Sequence, residues 1–115
     1  MVRMDNVSET VKNWPKLINV KQYAVWKEEF EVFVKSEDTR MWSCMIDGYV
    51  APTRRVEGRV KVISYEKMDE SEKLVVDAEK KALAAIKMSL PEGIKHTFKK
   101  FGTSRELWET LEKHY

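Results

Sequence analysis

The sequence predicts an all-α protein, a compact bundle of about five helices with one long basic loop. Apolar residues recur at helical spacing in several segments, and capping residues precede those segments. Residues 48–68 show no such period. The 115 residues suffice for one domain with its own core. We therefore expect a single domain over 1–115, with 1–16 as a candidate flexible N-terminal arm.

The first predicted helix carries an aromatic stripe. Tyr23, Trp26, Phe30, Phe33 and Val34 fall at i, i+3, i+7, i+10 and i+11, which lie on one helix face. Aromatic residues can also stack nucleic-acid bases, but stacking residues usually project from a sheet or a cationic groove. Helical spacing therefore favours a core.

A second, shorter helix is predicted directly after the first. Ser36 and Asp38 are suitable N-caps, and Gly48 can adopt the left-handed conformation that ends a helix. The apolar positions of this helix are Met41, Trp42, Met45 and Ile46.

Residues 48–68 form the long loop, in which basic side chains outnumber acidic ones. Pro52 and Gly58 interrupt helical structure there. A loop of this length in a small domain usually has a function or contains structure of its own. Val60 and Val62 alternate with charged residues, so a short strand or hairpin is the alternative to an unstructured loop. The basic residues are Arg54, Arg55, Arg59, Lys61 and Lys67.

The third helix is predicted to begin at Asp69, because Asp69 and Glu72 have the spacing of a capping box. Small residues on its apolar face would allow a neighbouring helix to approach closely. Its predicted stripe consists of Val75, Ala78, Ala82, Ala85, Ile86 and Ser89.

Two short helices complete the prediction. Pro91 ends the third helix and can open the fourth, and Ser89 and Glu92 again have capping-box spacing. Thr103 and Glu106 repeat that spacing before the fifth helix. The apolar positions are Ile94, Thr97, Phe98 and Phe101 in the fourth helix, and Leu107, Trp108, Leu111 and Tyr115 in the fifth.

Composition restricts the class of partner only weakly. The 21 basic and 19 acidic residues leave a net charge of +2, which is no strong indication of nucleic-acid binding. The single cysteine, Cys44, fits a reducing compartment. No secretory signal and no membrane-spanning run is evident. We therefore expect a cytoplasmic, or nuclear, domain without a membrane partner.

The sequence contains no recognisable catalytic or metal-binding pattern. His96 and His114 lie among lysines and glutamates, and Cys44 lies between apolar neighbours. Nucleophilic catalysis needs a base beside its nucleophile, and zinc needs a Cys/His cluster. The prediction is therefore a protein that is not an enzyme, with no cofactor, metal or small-molecule substrate.

Two groups of basic residues are candidates for contact with RNA or with a neighbouring subunit. The alternative for both groups is an ordinary solvated face. The loop group contains Arg54, Arg55, Arg59 and Lys61, and the fourth-helix group contains Lys95, Lys99 and Lys100.

Four motifs in order resemble the Gag polyproteins of plant copia-type LTR retrotransposons. The first, "LINVKQYAVWKEEFEVFVKSED", matches through Leu17, Tyr23, Trp26, Lys27, Phe33, Ser36 and Asp38, with Gln22 in place of the usual asparagine. The second, "MWSCMIDGYVAP", matches through Trp42, Ile46, Gly48, Tyr49 and Pro52.

The later motifs are "DAEKKAL", with Asp77, Ala78, Ala82 and Leu83, and a closing motif with Thr103, Glu106, Trp108, Leu111 and Tyr115. Tyr65 stands where a tryptophan often precedes the third helix. The resemblance covers residue 17 to the end. Its signature core would comprise Tyr23, Trp26, Phe30, Phe33, Trp42, Ile46, Gly48, Tyr49, Leu107, Trp108 and Leu111.

The resemblance implies a structural protein whose capsid region resembles the N-terminal lobe of a retroviral capsid. Such a lobe self-assembles into virus-like particles that enclose the element's RNA, while strong RNA binding belongs to a zinc knuckle expected beyond Tyr115. The isolated lobe would be monomeric or weakly associated. A second hypothesis is a domesticated Gag lobe that binds a peptide or host partner in a helix-lined groove. RNA binding by this domain alone is the third.

Overall fold

The computed structural model describes residues 14–98 and 100–115. Within them lie five α-helices and one antiparallel hairpin, so the mainly helical prediction is confirmed and residues 48–68 contain a hairpin. Short 3-10 turns precede α1 and α3. The helices are α1 (Tyr23–Glu37), α2 (Thr39–Asp47), α3 (Glu70–Ser89), α4 (Glu92–Phe98) and α5 (Ser104–His114); the strands are β1 (Thr53–Val56) and β2 (Arg59–Val62).

Aromatic side chains in the core join α1 to α5. Trp26 and Phe30 of α1 are buried and contact Trp108 of α5, with ring centroids 5.8 and 5.6 Å away. Tyr23 and Val34 extend the buried face of α1. The aromatic stripe on α1 is therefore packed inside the bundle, as its period predicts.

Positions of the predicted core on α2 divide into three groups. Met41 and Met45 are fully buried, whereas Trp42 is half-buried. Ile46 is 42% exposed, so its placement in the core was wrong. At 100° per residue it lies about 140° around the helix from Met41 and about 160° from Cys44, so it faces away from them. Phe33 of α1 and Tyr49 after α2 are half-buried at the edge of the core.

The segment before α1 packs against the bundle. Trp14 is 3% exposed, and its ring centroid lies 4.5 Å from that of Phe33. The Nε1–H of Trp26 donates to the Pro15 carbonyl at 3.0 Å, and the Leu17 N–H donates to the Ser89 carbonyl at 2.8 Å. Of the predicted arm, residues 14–16 thus belong to the folded body. Residues 1–13 lie outside the described part of the chain.

Predicted caps begin three of the helices. Asp38 accepts from the Arg40 N–H at 2.9 Å, and Thr103 accepts from the Glu106 N–H. The capping box at α3 is complete, since Asp69 accepts from the N–H of Glu72 while Glu72 accepts from that of Asp69. These interactions begin the helices at the positions that the sequence indicates.

The capping box predicted for Ser89 and Glu92 is wrong. Ser89 is the last residue of α3, and its hydroxyl donates to the Ala85 carbonyl at 2.7 Å. Ser89 is also buried, so satisfying its hydroxyl within α3 avoids an unpaired polar group.

A buried carboxylate joins α3 to α5. Glu79 is 6% exposed and accepts from both the backbone N–H and the hydroxyl of Ser104, at 2.7 and 2.6 Å. Glu79 therefore satisfies a donor at the start of α5, where backbone N–H groups lack partners within the helix.

The predicted apolar stripe of α3 is wrong at one position. It placed Val75 inside the core, but Val75 is 37% exposed and Val76 is buried instead.

Candidate interaction surface

The hairpin is the exposed element of the fold. All eight residues of its strands are exposed. Glu57 and Gly58 connect the strands with positive φ values of 51° and 79°, the arrangement of a type I′ turn. The directly opposed pairs are Thr53 with Val62, Arg54 with Lys61, Arg55 with Val60, and Val56 with Arg59.

Arg54 attaches the hairpin to the start of α3. Its two guanidinium nitrogens donate to the two carboxylate oxygens of Glu72, each at 2.7 Å. These bonds raise the pKa of Arg54, and together with the Asp69 N–H they lower the pKa of Glu72. Glu72 thus accepts hydrogen bonds both from the N-cap residue of α3 and from the hairpin.

The opposite face of the hairpin points away from α3. Cross-strand partners share a face, and neighbours along a strand alternate between faces. Because Arg54 is turned toward α3, Arg55 and Val60 are presented outward together with Thr53 and Val62. Val60 and Val62 are 63% and 68% exposed. The outward face, defined by Thr53, Arg55, Val60 and Val62, is therefore an apolar surface with a guanidinium beside it.

The four basic residues of the predicted loop group all lie on the strands of the hairpin, but their environments differ. Arg54 is committed to Glu72, and Arg55 reaches the Gly58 carbonyl at 3.4 Å. Arg59 and Lys61 are exposed and have no ion-pair partner within the described part of the chain. Three bases, Arg55, Arg59 and Lys61, thus remain available for an outside partner.

The second predicted group of bases lies at the opposite end of α3 from the hairpin. Lys95 pairs with Glu92 at 3.2 Å, and Lys100 is exposed. Lys99 lies outside the described residues. The 20 residues of α3 give it a length of about 30 Å, so the two groups do not form one basic patch.

A groove runs along the outer side of α1. Its volume is about 500 Å³, and its lining is Pro15, Glu28, Glu29, Val32, Phe33 and Ser36. Val32 is 68% exposed, and Val25, about two turns earlier, is 60% exposed. Glu28 and Glu29 are exposed and take part in no ion pair among residues 14–98 and 100–115. The sequence alone did not single out these two acids as binding residues, and the signal that could have indicated a binding surface is the neighbouring pair of exposed valines, Val25 and Val32.

Tyr65 forms a small polar cluster on the outer face of α3. Its hydroxyl donates to Asp77 at 3.0 Å, which raises the pKa of Tyr65. The Nζ atoms of Lys73 and Lys80 lie 5.4 and 5.7 Å from its ring centroid, within cation–π range. These contacts fix the segment between the hairpin and α3.

Gly48 allows α2 to end against α5. Its φ of +98° disfavours other residues, and an added Cβ would come within 3.1 Å of Arg105 Nη1. The same Arg105 nitrogen donates to the Asp47 carbonyl at 3.3 Å. Gly48 thus belongs to the packing of the bundle.

The nucleophilic and basic side chains do not converge. Cys44 is buried, and burial, followed by Glu79 and Asp38, raises the pKa of its thiol to about 11. His96 and His114 are exposed. Among the described residues no group of three or more His, Cys, Asp and Glu side chains could hold a metal ion.

None of the described helices is both long enough and apolar enough to cross a membrane. Comparison of the chain with protein-family models, with curated proteins and with solved structures finds no match.

Proposed function

We propose that this chain is a Gag capsid-like building block, which self-associates in the cytoplasm into retrotransposon particles enclosing the element's RNA. The observation that carries the proposal is the convergence of signature residues on one core. Tyr23, Trp26, Phe30, Trp108 and Leu111, taken from the first and last motifs, are all buried in a single cluster.

Shell assembly needs a rigid unit with exposed contact surfaces. The buried aromatic cluster supplies rigidity, and both the hairpin and the outer side of α1 leave valines exposed. Heterologous contacts between identical units close into rings or continue as filaments, and many weak contacts sum through multivalency. A weak contact per lobe is therefore sufficient for a stable particle.

Basic side chains of the hairpin give RNA a secondary place in this mechanism. Arg55, Arg59 and Lys61 are exposed on one element, but three charges produce only weak, salt-sensitive binding. Substituting all three by serine in a polypeptide with both capsid lobes should change the salt or RNA dependence of assembly. Electron microscopy of the unsubstituted polypeptide with both lobes tests the function itself. Absence of particles at every salt and RNA concentration would contradict the proposal.

A second candidate function is a domesticated interaction module. The groove along α1 favours it, because an apolar floor with Val32 and Phe33 beside Glu28 could accept a basic, apolar peptide. The flanking reading frame separates the two candidates. A second lobe, a zinc knuckle and a protease-like segment would support the mobile element, and an intact host gene without them would support the module.

A further inference from the structure

Unpaired charges of opposite sign lie on the hairpin and on α1. The outward face of the hairpin presents Arg55, and the α1 groove presents Glu28 and Glu29. No ion pair involves either acid within the described residues, although neighbouring Lys27 is paired with Glu112. Charges arranged in this way steer association and fix its register.

The apolar parts of these surfaces also match. Val60 and Val62 project from the outward face of the hairpin, while Val32 and Phe33 line the groove. A strand of four residues spans about 13 Å. The groove residues from Glu28 to Ser36 span about 12 Å along the axis of α1. The strand that carries Val60 and Val62 and the α1 groove are therefore similar in length.

The hairpin would gain from being covered. Two strands alone are marginally stable in water, and among the described residues the hairpin is attached to α3 through the face that carries Arg54. Burial of Val60 and Val62 against another surface would remove apolar area from water and support the ribbon.

We infer that the outward face of the hairpin of one copy docks into the α1 groove of a second copy. The inference rests on the proposed self-assembly and names its contact. The contact is heterologous, since the two copies use different surfaces, so each copy retains a free hairpin or a free groove for the next. Association consequently continues beyond a dimer.

Two variants isolate the two halves of the contact. Glu28→Lys/Glu29→Lys disables the groove and leaves the hairpin intact. Arg55→Glu disables the outward face of the hairpin and keeps the Arg54–Glu72 attachment. Lys100→Glu makes the same charge change at the other end of α3 and serves as its matched control. Circular-dichroism melts verify that every variant is folded.

Each disabled variant alone should self-associate about tenfold or more weakly than the unchanged chain in sedimentation velocity, because like charges then oppose the contact. Mixed together, the two variants should associate again, because Arg55 of one variant meets the acidic groove of the other and the two reversed surfaces also match each other. The chain carrying all three substitutions should regain association for the same reason. The control should associate like the unchanged chain.

Nuclear magnetic resonance locates the contact even when it is weak. When the hairpin variant is ¹⁵N-labelled and the groove variant is added, the amide signals of residues 25–36 and of residues 53–62 should shift. Shifts elsewhere, or shifts independent of concentration as expected for an occupant from the same chain, would overturn the inference.

The failure of the contact is distinguishable from failure of the function. If the unchanged chain associates and the two variants associate equally well, this interface is wrong while self-assembly stands. If the unchanged chain stays monomeric at every concentration and no particles form with both lobes, both are wrong. If a basic peptide binds the groove while the mixed variants do not combine, the groove serves a different partner.

Discussion

The helical bundle and the hairpin are held together by different forces. In the bundle, Trp26, Phe30 and Trp108 pack in contact with almost no exposed area. In the hairpin all strand residues are exposed, and the attachment to the rest of the protein is the Arg54–Glu72 pair. One region depends on apolar burial, whose energy scales with area, and the other on solvent-exposed polar contacts.

This difference separates stability from association. Substitutions in the aromatic cluster should unfold the protein and thereby abolish every function. Substitutions on the outward face of the hairpin should leave the fold intact and change only what the protein binds. Four predictions test this separation, beginning with the largest effect on folding.

Trp108→Ala should destabilise the protein by about 3–5 kcal/mol, since the side chain is 1% exposed and its loss leaves a large cavity. Trp26→Ala should have a similar effect. Trp42→Ala should cost clearly less, because Trp42 is half-buried and meets Trp108 edge-on at 6.0 Å. Urea unfolding followed by circular dichroism measures all three. Equal losses for Trp42 and Trp108 would contradict the core as described.

Glu79→Ala should cost about 1.5–3 kcal/mol, because two donors of the buried Ser104 would lose a charged acceptor. The matched control is Glu109→Ala, which removes an exposed carboxylate that pairs with Arg105. Its effect on urea unfolding should be small. If the two substitutions cost the same, the link between α3 and α5 contributes nothing beyond a surface ion pair.

Acid should weaken the attachment of the hairpin to α3. Asp69 and Glu72 have lowered pKa values in the folded protein, so their ionised forms add stability above their ordinary pKa values. This contribution is lost as pH falls through the lowered pKa values, below about pH 4. Melting temperatures measured across this range should fall less steeply for Glu72→Gln. A Glu72→Gln variant with an unchanged pH profile would contradict the assignment.

Substituting Arg55, Arg59 and Lys61 by serine should leave the thermal melt almost unchanged, since all three are exposed and none forms an ion pair with the bundle among the described residues. Adding Arg54→Ser to this set should lower the melting temperature, because the pair with Glu72 is then lost. Differential scanning calorimetry of the triple and quadruple variants measures the difference. A triple variant that melts early would show that the hairpin belongs to the folding core.

Features that depend on local chemistry were predictable from the sequence. The aromatic period located α1, and Asp38, Asp69 and Thr103 located the beginnings of three helices. A helical period and a cap involve residues a few positions apart, so the chain specifies them without tertiary information. Alternating Val60 and Val62 indicated the hairpin for the same reason.

Features that depend on long-range packing were not predictable. Trp14 precedes every periodic segment, and its burial depends on how α1 lies in the bundle. Glu79 has the spacing of an inward residue, but only the position of Ser104 makes a buried carboxylate favourable there. The position of the hairpin on α3 also decides which predicted basic residue is paired. Arg54 forms an ion pair with Glu72, whereas Arg59 has no ion-pair partner among the described residues.

The position of Cys44 gives the protein a built-in reporter of opening. The thiol is 4% exposed, lies 4.0 Å from the Val75 carbonyl on α3, and is held protonated near neutral pH. Because Cys44 is almost fully buried, a thiol reagent should react faster when α2 separates from α3, so the labelling rate reports on that opening. If conditions that raise the overall stability of the protein slow the labelling as much as particle formation does, α2 opens only when the whole bundle unfolds. If particle formation alone slows the labelling, assembly suppresses a local opening of α2.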